Sequence, residues 1–268
     1  MQPKTESIIR THGKPPFTTV FIHGGPGAQN SLLSIAHDLG KYIGVLEPVQ
    51  TGYNIPELLE ELNEHIYSFV VRPVTLVGHS WGAWLAMLYA TQHSEIVKAL
   101  VLVGCAPFED KYTAQITTRR LNRLSPQEQA LFNLVLAGFD DPSSNKDYLL
   151  AQLTEFTEKT DNYELAVSSE EAAELLNVNM DMYTSLWPEA MALRQSGILA
   201  SSLSMLECPV HVIHGEEDPH PITGVTIPLD KHKVAYTRHI LTQCGHTPFL
   251  EKHAKDYFYD MLLDILRD

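Results

Sequence analysis

A serine between two glycines stands where a strand-like segment meets a helix-like one. Residues Gly78–Gly82 read Gly-His-Ser-Trp-Gly, with an apolar run before them and another after them. A serine hydroxyl becomes a nucleophile when it is held clear of the backbone, beside a base and near donors for negative charge. A sharp strand-to-helix turn holds the side chain in this way, and the flanking glycines let strand and helix pack closely. The pattern therefore predicts that Ser80 attacks a carbonyl carbon.

Two later turns offer the base and the acid that such a serine needs. One strand-like run ends in the carboxylates Glu216, Glu217 and Asp218, and the last one ends in Gly245-His246. We expect His246 to act as general base and then as general acid, with Asp218 orienting its ring. Glu216 and Glu217 stay open as alternatives for the acid, because position in the turn decides which carboxylate meets the histidine.

A glycine-rich loop is expected to stabilise the negative charge of the reaction. His23–Gly27 reads His-Gly-Gly-Pro-Gly and follows the buried strand-like run Thr18–Ile22. Glycine is conformationally free and proline lacks an N–H, so this segment ends the strand and can turn an amide toward a substrate oxygen. We assign the amides of Gly25 and Trp81 as the oxyanion donors. Losing one such donor costs about 3 kcal/mol of barrier lowering.

These motifs together resemble those of the α/β-hydrolase superfamily over nearly the whole chain. Serine, acid and histidine follow one another in that superfamily's order, each just past a predicted strand. The His-Gly-Gly-Pro-Gly loop with Ser-Trp-Gly at the elbow is further similar to the proline iminopeptidase branch, which usually has glycine where this chain has His79. The resemblance implies a serine triad under a helical cap, removal of N-terminal residues from peptides, and cap carboxylates that bind the substrate's amino group.

The alternation of elements predicts an α/β fold with a doubly wound, mostly parallel sheet. The predicted strands are residues 7–13, 18–22, 42–46, 73–77, 97–104 and the runs that start at 209 and 239. The predicted helices that alternate with them cover residues 31–39, 56–69, 82–90 and 256–266.

One long segment interrupts this alternation. Residues 108–200 show helical patterns, among them a capping box at Ser125-Pro126-Gln127-Glu128. We therefore predict a core domain of residues 1–107 and 201–268 with a helical cap of residues 108–200 inserted over the active site.

The cap is acidic, with 15 Asp and Glu against 7 Lys and Arg between residues 109 and 194. A solvated helical surface accounts for most of these charges. Glu170, Glu171 and Glu174 share one helical segment, and we expect them to bind a substrate ammonium group.

Composition narrows the class of protein. With 33 acidic and 19 basic residues, the formal charge of −14 argues against binding to nucleic acid or to an anionic membrane. Neither a signal-peptide core nor an apolar stretch of spanning length is evident, and the odd set Cys105, Cys208 and Cys244 is expected to be free thiols, so we expect a cytoplasmic protein. His214, Asp218 and His220 lack zinc-motif spacing, and we predict neither a metal nor a cofactor.

The sequence thus predicts a serine hydrolase that acts on a small-molecule or short-peptide substrate. The leading substrate is a small amide or a peptide N-terminus, and the alternative is a small carboxylic ester. Hydrolysis of a carbon–carbon bond on the same triad is a more distant option. A non-catalytic ligand-binding module on the same scaffold is the rival from another class, since a fold alone does not determine function.

Overall fold

A seven-stranded sheet forms the centre of the computed structural model, which describes residues 8–139 and 141–268. In chain order the strands are β1 (Ile8–His12), β2 (Phe17–Ile22), β3 (Gly44–Val49), β4 (Val74–His79), β5 (Val97–Val103), β6 (Val210–Gly215) and β7 (Tyr236–Leu241). Across the sheet they run β1-β3-β2-β4-β5-β6-β7, and only the β1–β3 pair is antiparallel. The mostly parallel sheet is therefore confirmed, while residue 7 of the expected first strand lies outside the described residues.

Helices cover both faces of this sheet. They are α1 (Leu33–Leu39), α2 (Ile55–Phe69), α3 (Trp81–Gln92), α10 (Thr223–Lys231) and α11 (Lys255–Arg267). Successive strand residues point to opposite faces, so Val20 and Ile22 pack in the cluster that contains α2, α3 and α10, whereas Phe21 packs with α1 and α11. Burial on both faces explains why the central strands β2, β4 and β5 are largely apolar. The sequence did not predict α10, which has Pro228 in its interior.

Further helices lie between β5 and β6, where the cap is expected. They are α4 (Thr113–Leu121), α5 (Pro126–Gly138), α6 (Lys146–Asp161), α7 (Ser169–Leu175), α8 (Met180–Gln195) and α9 (Ile198–Ser202). The capping box that opens α5 is present, with Ser125 and Glu128 bonded to each other's backbone amides. Leu186 of α8 and Leu199 of α9 are fully buried in the same cluster as α3. The C-terminal part of this insertion therefore packs directly on the core.

The order of strands determines where a ligand can bind. β2 lies between β3 and β4, so the chain leaves β2 toward one side and returns through β4 on the other. The carboxyl ends of parallel strands at such a reversal enclose a crevice, the usual ligand site of open α/β sheets. The segments after β2 and β4 contain Gly25 and Ser80. Among the described residues, no helix is both long and apolar enough to span a bilayer.

One boundary differs from the sequence prediction for a reason that concerns the site. Helix α1 begins at Leu33 and not at residue 31. Ser31 is buried, and its hydroxyl accepts a hydrogen bond from the Gly24 amide at 3.1 Å. The side chain of Ser31 thus holds the glycine-rich loop. All three cysteines are buried free thiols, as expected.

Candidate active site

Ser80 occupies a tight turn between β4 and α3. Its backbone has φ 53° and ψ −115°, a region that non-glycine residues rarely adopt. The Ser80 amide donates to the carbonyl of Val103 at 2.9 Å, which ties the turn to β5. A Cβ on Gly78 would lie 2.6 Å from the Cα of Ala83. The glycine is therefore required for strand and helix to approach each other, as in a nucleophile elbow.

The structure brings His246 and Asp218 together. Nδ1 of His246 lies 2.8 Å from Oδ2 of Asp218, whose carboxylate is fully buried. The other carboxylates of the turn lie elsewhere, because Glu216 is exposed and Glu217 pairs with Arg123 at 3.0 Å. Of the three candidate acids, Asp218 is thus the one in contact with the histidine.

The protonation states of Asp218 and His246 depend on their burial and on their interaction with each other. Burial alone raises the pKa of Asp218, but the neighbouring imidazoles of His246, His214 and His220 hold it well below its usual range. Burial likewise lowers the pKa of His246, yet the charge and hydrogen bond of Asp218 outweigh it and the pKa is raised. An ionised carboxylate only accepts hydrogen bonds, so Nδ1 of His246 carries the proton and Nε2 is free to take another.

Ser80 and His246 line one cavity of about 360 Å³, within the range of small-molecule sites. Among the hydrogen bonds of the described residues, His246 is joined to Asp218 and not to Ser80. Neither the Ser80 hydroxyl nor Nε2 of His246 is buried without a partner, so both atoms are open to the cavity. Catalytic hydrogen bonds are often loose without a substrate and tighten in the Michaelis complex.

The two expected oxyanion donors also lie on the cavity wall. Gly25 has φ 116°, a conformation that favours glycine, and Trp81 is the first residue of α3. Within residues 8–139 and 141–268, neither amide donates a hydrogen bond to another protein group. The first N–H groups of a helix have no partner inside it, so the Trp81 amide is available to a ligand.

Gln50, which was not identified from the sequence, connects Trp81 to the glycine-rich loop that contains Gly25. Its side-chain oxygen accepts from the indole N–H of Trp81 at 3.1 Å, and its side-chain nitrogen donates to the carbonyl of His23 at 3.3 Å. The Gln50 amide also donates to Nε2 of His23 at 3.1 Å. Burial lowers the pKa of His23 to about 4, which keeps this ring neutral and able to accept. The available sequence signal was a glutamine directly after the strand-like run that becomes β3.

His79, which precedes Ser80, bonds to the loop that carries His246. Its Nε2 lies 3.0 Å from the carbonyl oxygen of His246, and its ring packs at 4.9 Å from the His246 ring. Burial lowers the pKa of His79 to about 3, so the neutral ring donates through Nε2. His23 and His79 thus both form hydrogen bonds that hold the loops around the cavity.

Two arginines of the inserted helical segment bond to the turn of Asp218, and a third pairs with a carboxylate on α6. Arg119 donates to the carbonyl of Asp218 at 3.1 Å, and Arg123 donates to the carbonyl of Glu217. Arg120 forms a two-bond pair with the carboxylate of Asp161, at 2.8 and 2.5 Å. The carbonyl of Asp161 in turn accepts from the His246 amide at 2.7 Å. The inserted helices are therefore joined by hydrogen bonds to the loops that carry Asp218 and His246.

The cap carboxylates on the cavity wall are not those expected from the sequence. Glu170, Glu171 and Glu174 are exposed and lie outside the cavity lining, because α7 turns them toward solvent. Glu158 and Asp161 of α6 line the cavity instead. Leu150, Leu153, Thr154, Thr157, Glu158 and Asp161 face it together. Their spacing of three and four residues is helical and was the signal in the sequence.

These two carboxylates differ in their partners. Asp161 is paired with Arg120, whereas the Glu158 side chain makes neither an ion pair nor a hydrogen bond with any described residue. Glu158 is thus an unpaired negative charge on the wall, able to bind a cationic group of a ligand.

Among the described residues, one group of side chains has donor atoms close enough to one another for a metal ion. Asp218, His220 and His246 each offer a ligand atom within 4.8 Å of the others. Both oxygens of Asp218 already accept bonds of 2.8 Å from the Nδ1 atoms of the two histidines. This arrangement places protons between the three groups, which suits proton transfer better than metal ligation.

Comparisons with known proteins agree with this architecture. The model of the alpha/beta hydrolase family matches residues 19–260. The proline iminopeptidase of Lactobacillus helveticus is 24% identical over 285 residues, which cover 89% of this chain and 86% of the relative.

Solved structures give the same fold. VinJ superimposes with a TM-score of 0.74 at 17% identity, covering 97% of this chain and 94% of that one. The esterase EaEST from Exiguobacterium antarcticum has a TM-score of 0.68 at 18% identity, with 98% and 96% covered. The chain belongs to the alpha/beta hydrolase family, and it is a hydrolase.

Proposed function

We propose that the protein is a serine hydrolase in which Ser80, His246 and Asp218 cleave a small amide or ester through an acyl-enzyme. The observation that carries the proposal is the 2.8 Å bond between His246 and the buried Asp218, on the wall of the cavity that Ser80 also lines. This arrangement leaves a basic nitrogen and a hydroxyl open to the same space.

In the first half-reaction, the Ser80 oxygen bonds to the substrate carbonyl carbon and its proton passes to Nε2 of His246. The amides of Gly25 and Trp81 stabilise the oxyanion that forms. His246 then gives its proton to the leaving amine or alcohol, and the acyl group stays on Ser80. In the second half-reaction water attacks this acyl group with His246 again as base. The mechanism requires no cofactor.

For the substrate we propose a small amide with a free amino group, such as a peptide N-terminus. Glu158 supports this choice, because an unpaired carboxylate on the wall matches an ammonium group. The Lactobacillus helveticus relative is a proline iminopeptidase. A small ester is the second candidate, since the wall is also lined by apolar side chains that suit an uncharged acyl group: Trp84, Ile116, Leu150, Leu153 and Val178.

Replacement of the nucleophile tests the triad. We expect Ser80→Ala to abolish labelling by a fluorophosphonate probe and to lower turnover by several orders of magnitude, because no acyl-enzyme can form. Ser196→Ala is the matched control, since Ser196 is exposed at the end of α8. If the wild-type protein is neither labelled nor active on a broad ester and amide panel, a non-catalytic binding module is the correct interpretation.

Replacement of the cap carboxylate tests the substrate class. We expect Glu158→Gln to lower kcat/KM for a proline arylamide with a free amine by about 10- to 100-fold, since a hydrogen bond to a charged group is lost. The same substrate with an acetylated amine should be unaffected. Glu155→Gln, one turn earlier on α6 and exposed, is the control.

The two substrate classes are separated by assaying the arylamide beside a short-chain nitrophenyl ester. Turnover of the ester without arylamidase activity would reject the peptidase assignment and leave the esterase.

A further inference from the structure

The carboxylate of the triad bonds to two imidazoles, and the mechanism above uses only one of them. Oδ2 of Asp218 accepts from Nδ1 of His246, while Oδ1 lies 2.8 Å from Nδ1 of His220 and 2.8 Å from the His220 amide. His220 is 8% exposed and lies on the cavity wall next to His246. A second imidazole, held by two hydrogen bonds to the same carboxylate and stacked beside the expected base, calls for an explanation.

The protonation state of His220 follows from its partner and its burial. Because the ionised Asp218 only accepts, Nδ1 of His220 carries the proton. Burial lowers the pKa of His220 to about 4, so the ring is neutral at physiological pH. Its Nε2 then has a lone pair. That atom has no protein partner among the described residues and is not sealed from solvent, so it offers a hydrogen-bond acceptor to the cavity.

The two rings are held side by side. Their centroids are 4.4 Å apart, with 27° between their planes. Nδ1 of each ring bonds to one oxygen of the same carboxylate, so in each ring the Nε2 atom lies on the side away from Asp218. A water molecule that donates two hydrogen bonds of ~2.8 Å has its acceptors roughly 4.5 Å apart. The ring separation matches this span.

We propose that His220 is a positioning residue for the water that hydrolyses the acyl-enzyme, a role that rests on the serine mechanism proposed above. The water donates one hydrogen to Nε2 of His246 and the other to Nε2 of His220. With both hydrogens fixed, an oxygen lone pair is left to attack the acyl carbon.

The water oxygen bonds to the acyl carbon, and one of its protons moves to Nε2 of His246. The proton that faces His220 stays on the oxygen. When the tetrahedral intermediate collapses, the bond from carbon to the Ser80 oxygen breaks and His246 returns the proton to Ser80. The product is the carboxylic acid, and His220 neither gains nor loses a proton.

Competition between water and methanol isolates this role. Methanol has a single O–H, which it donates to His246, so its attack on the acyl-enzyme does not need His220. The measurement is the ratio of methyl ester to free acid formed from a nitrophenyl ester in buffer with added methanol. A merely structural effect on Asp218 or His246 would slow both products equally and leave the ratio unchanged.

Two variants distinguish the role of Nδ1 of His220 from the role of its Nε2. His220→Asn retains a side-chain N–H close to the Nδ1 position, and thus the Asp218 bond, but removes the Nε2 acceptor. His220→Gln places an amide group close to the Nε2 position and restores an acceptor for water. We expect the Asn variant to raise the methyl ester to acid ratio about tenfold, the effect of one lost hydrogen bond. The Gln variant should return the ratio close to that of the wild type.

His37→Asn is the control, because His37 is exposed on α1. The rate of fluorophosphonate labelling of Ser80 shows whether each variant retains a folded site. If one variant is not labelled, the product ratio of the other variant is used to test the proposal. An unchanged ratio in His220→Asn, or an equal rise in both variants, overturns the proposal. Failure of the wild-type protein to form an acyl-enzyme overturns the serine mechanism instead, so the two failures are distinguishable.

Discussion

At the scale of single residues, one buried carboxylate sets the protonation of the site. Asp218 lies within 2.8 Å of His220 and His246 and within 3.6 Å of His214. Three imidazoles outweigh the cost of burying its charge, so it stays ionised. The negative charge of Asp218 does not have the same net result at the three imidazoles. The pKa of His246 is raised, whereas burial lowers the pKa of His214 and of His220. The proposed base, His246, is thus the one of these three imidazoles whose pKa is raised.

A pH profile of kcat/KM follows from this. The base must be neutral to accept the serine proton, and its folded pKa lies above the ordinary 6.5. We therefore expect activity to rise with pH, with the midpoint of the acid limb above 6.5. Asp218→Asn should move the limb to lower pH and reduce kcat by about 10⁴-fold.

Glu217→Gln is the matched control for the pH profile, since Glu217 pairs with Arg123 and does not contact His246. An acid limb at the same pH in Asp218→Asn as in the wild type would show that another group controls the rate.

At the scale of elements, helix α4 links the cap to the chemistry. Arg119 and Arg120 on α4, with Arg123 just beyond it, reach the acid turn and the end of α6. The end of α6 contacts the histidine loop again where Thr247 donates to the Asn162 side chain at 2.5 Å. Displacement of α4 or α6 would therefore disturb the base as well as the substrate cavity.

The Arg120–Asp161 pair gives an element-scale prediction. Arg120→Met leaves the carboxylate of Asp161, whose side chain is 8% exposed, without its cation. We expect the free energy of unfolding to fall by about 3 kcal/mol, since breaking a buried pair leaves an uncompensated charge. The double variant Arg120→Met/Asp161→Leu should recover most of the loss. Urea denaturation measures both.

Lys111→Met is the control for this prediction, because Lys111 is an exposed partner of Glu109 just before α4 and should leave the urea midpoint unchanged. If the double variant is no more stable than Arg120→Met, the loss comes from packing and not from the unpaired charge.

At the scale of the whole molecule, buried histidines make the fold sensitive to acid. Burial lowers the pKa of His23 and His220 to about 4 and that of His79 to about 3, each from 6.5. Below pH 6.5 these histidines bind protons in the unfolded chain but not in the folded chain. The free energy of unfolding therefore decreases as the pH is lowered, by up to about 3 kcal/mol at pH 4 for His23 and for His220. His246 does not add to this loss, because its raised pKa favours the folded state at low pH.

We therefore expect the free energy of unfolding to decrease by at least about 2 kcal/mol between pH 7.5 and pH 5. Chemical denaturation at a series of pH values measures the slope. His23→Asn should flatten it by about one proton, whereas His37→Asn, at an exposed position, should not. A stability that is constant over this interval would contradict the neutral state of the buried histidines.

The sequence by itself determined the sheet, the elbow and the glycine-rich loop. Continuous apolar runs predict buried parallel strands, and Gly78–Gly82 predicts a tight turn, because these features depend on residues adjacent in the chain. The positions of Ser80, Gly25 and Trp81 on one cavity follow from the rule that parallel strands end at the same edge.

Tertiary structure alone decided which side chains meet at that edge. Asp218, and not Glu216, contacts His246 because the turn after β6 buries one of three adjacent carboxylates. Glu158 lies on the cavity wall while Glu170 faces solvent, because the rotation of each cap helix depends on the packing of its apolar face against other elements. The contact between the rings of His220 and His246 forms because the turn after β6 and the loop after β7 lie next to each other. Such contacts join residues far apart in the chain, and local periodicity carries no information about them.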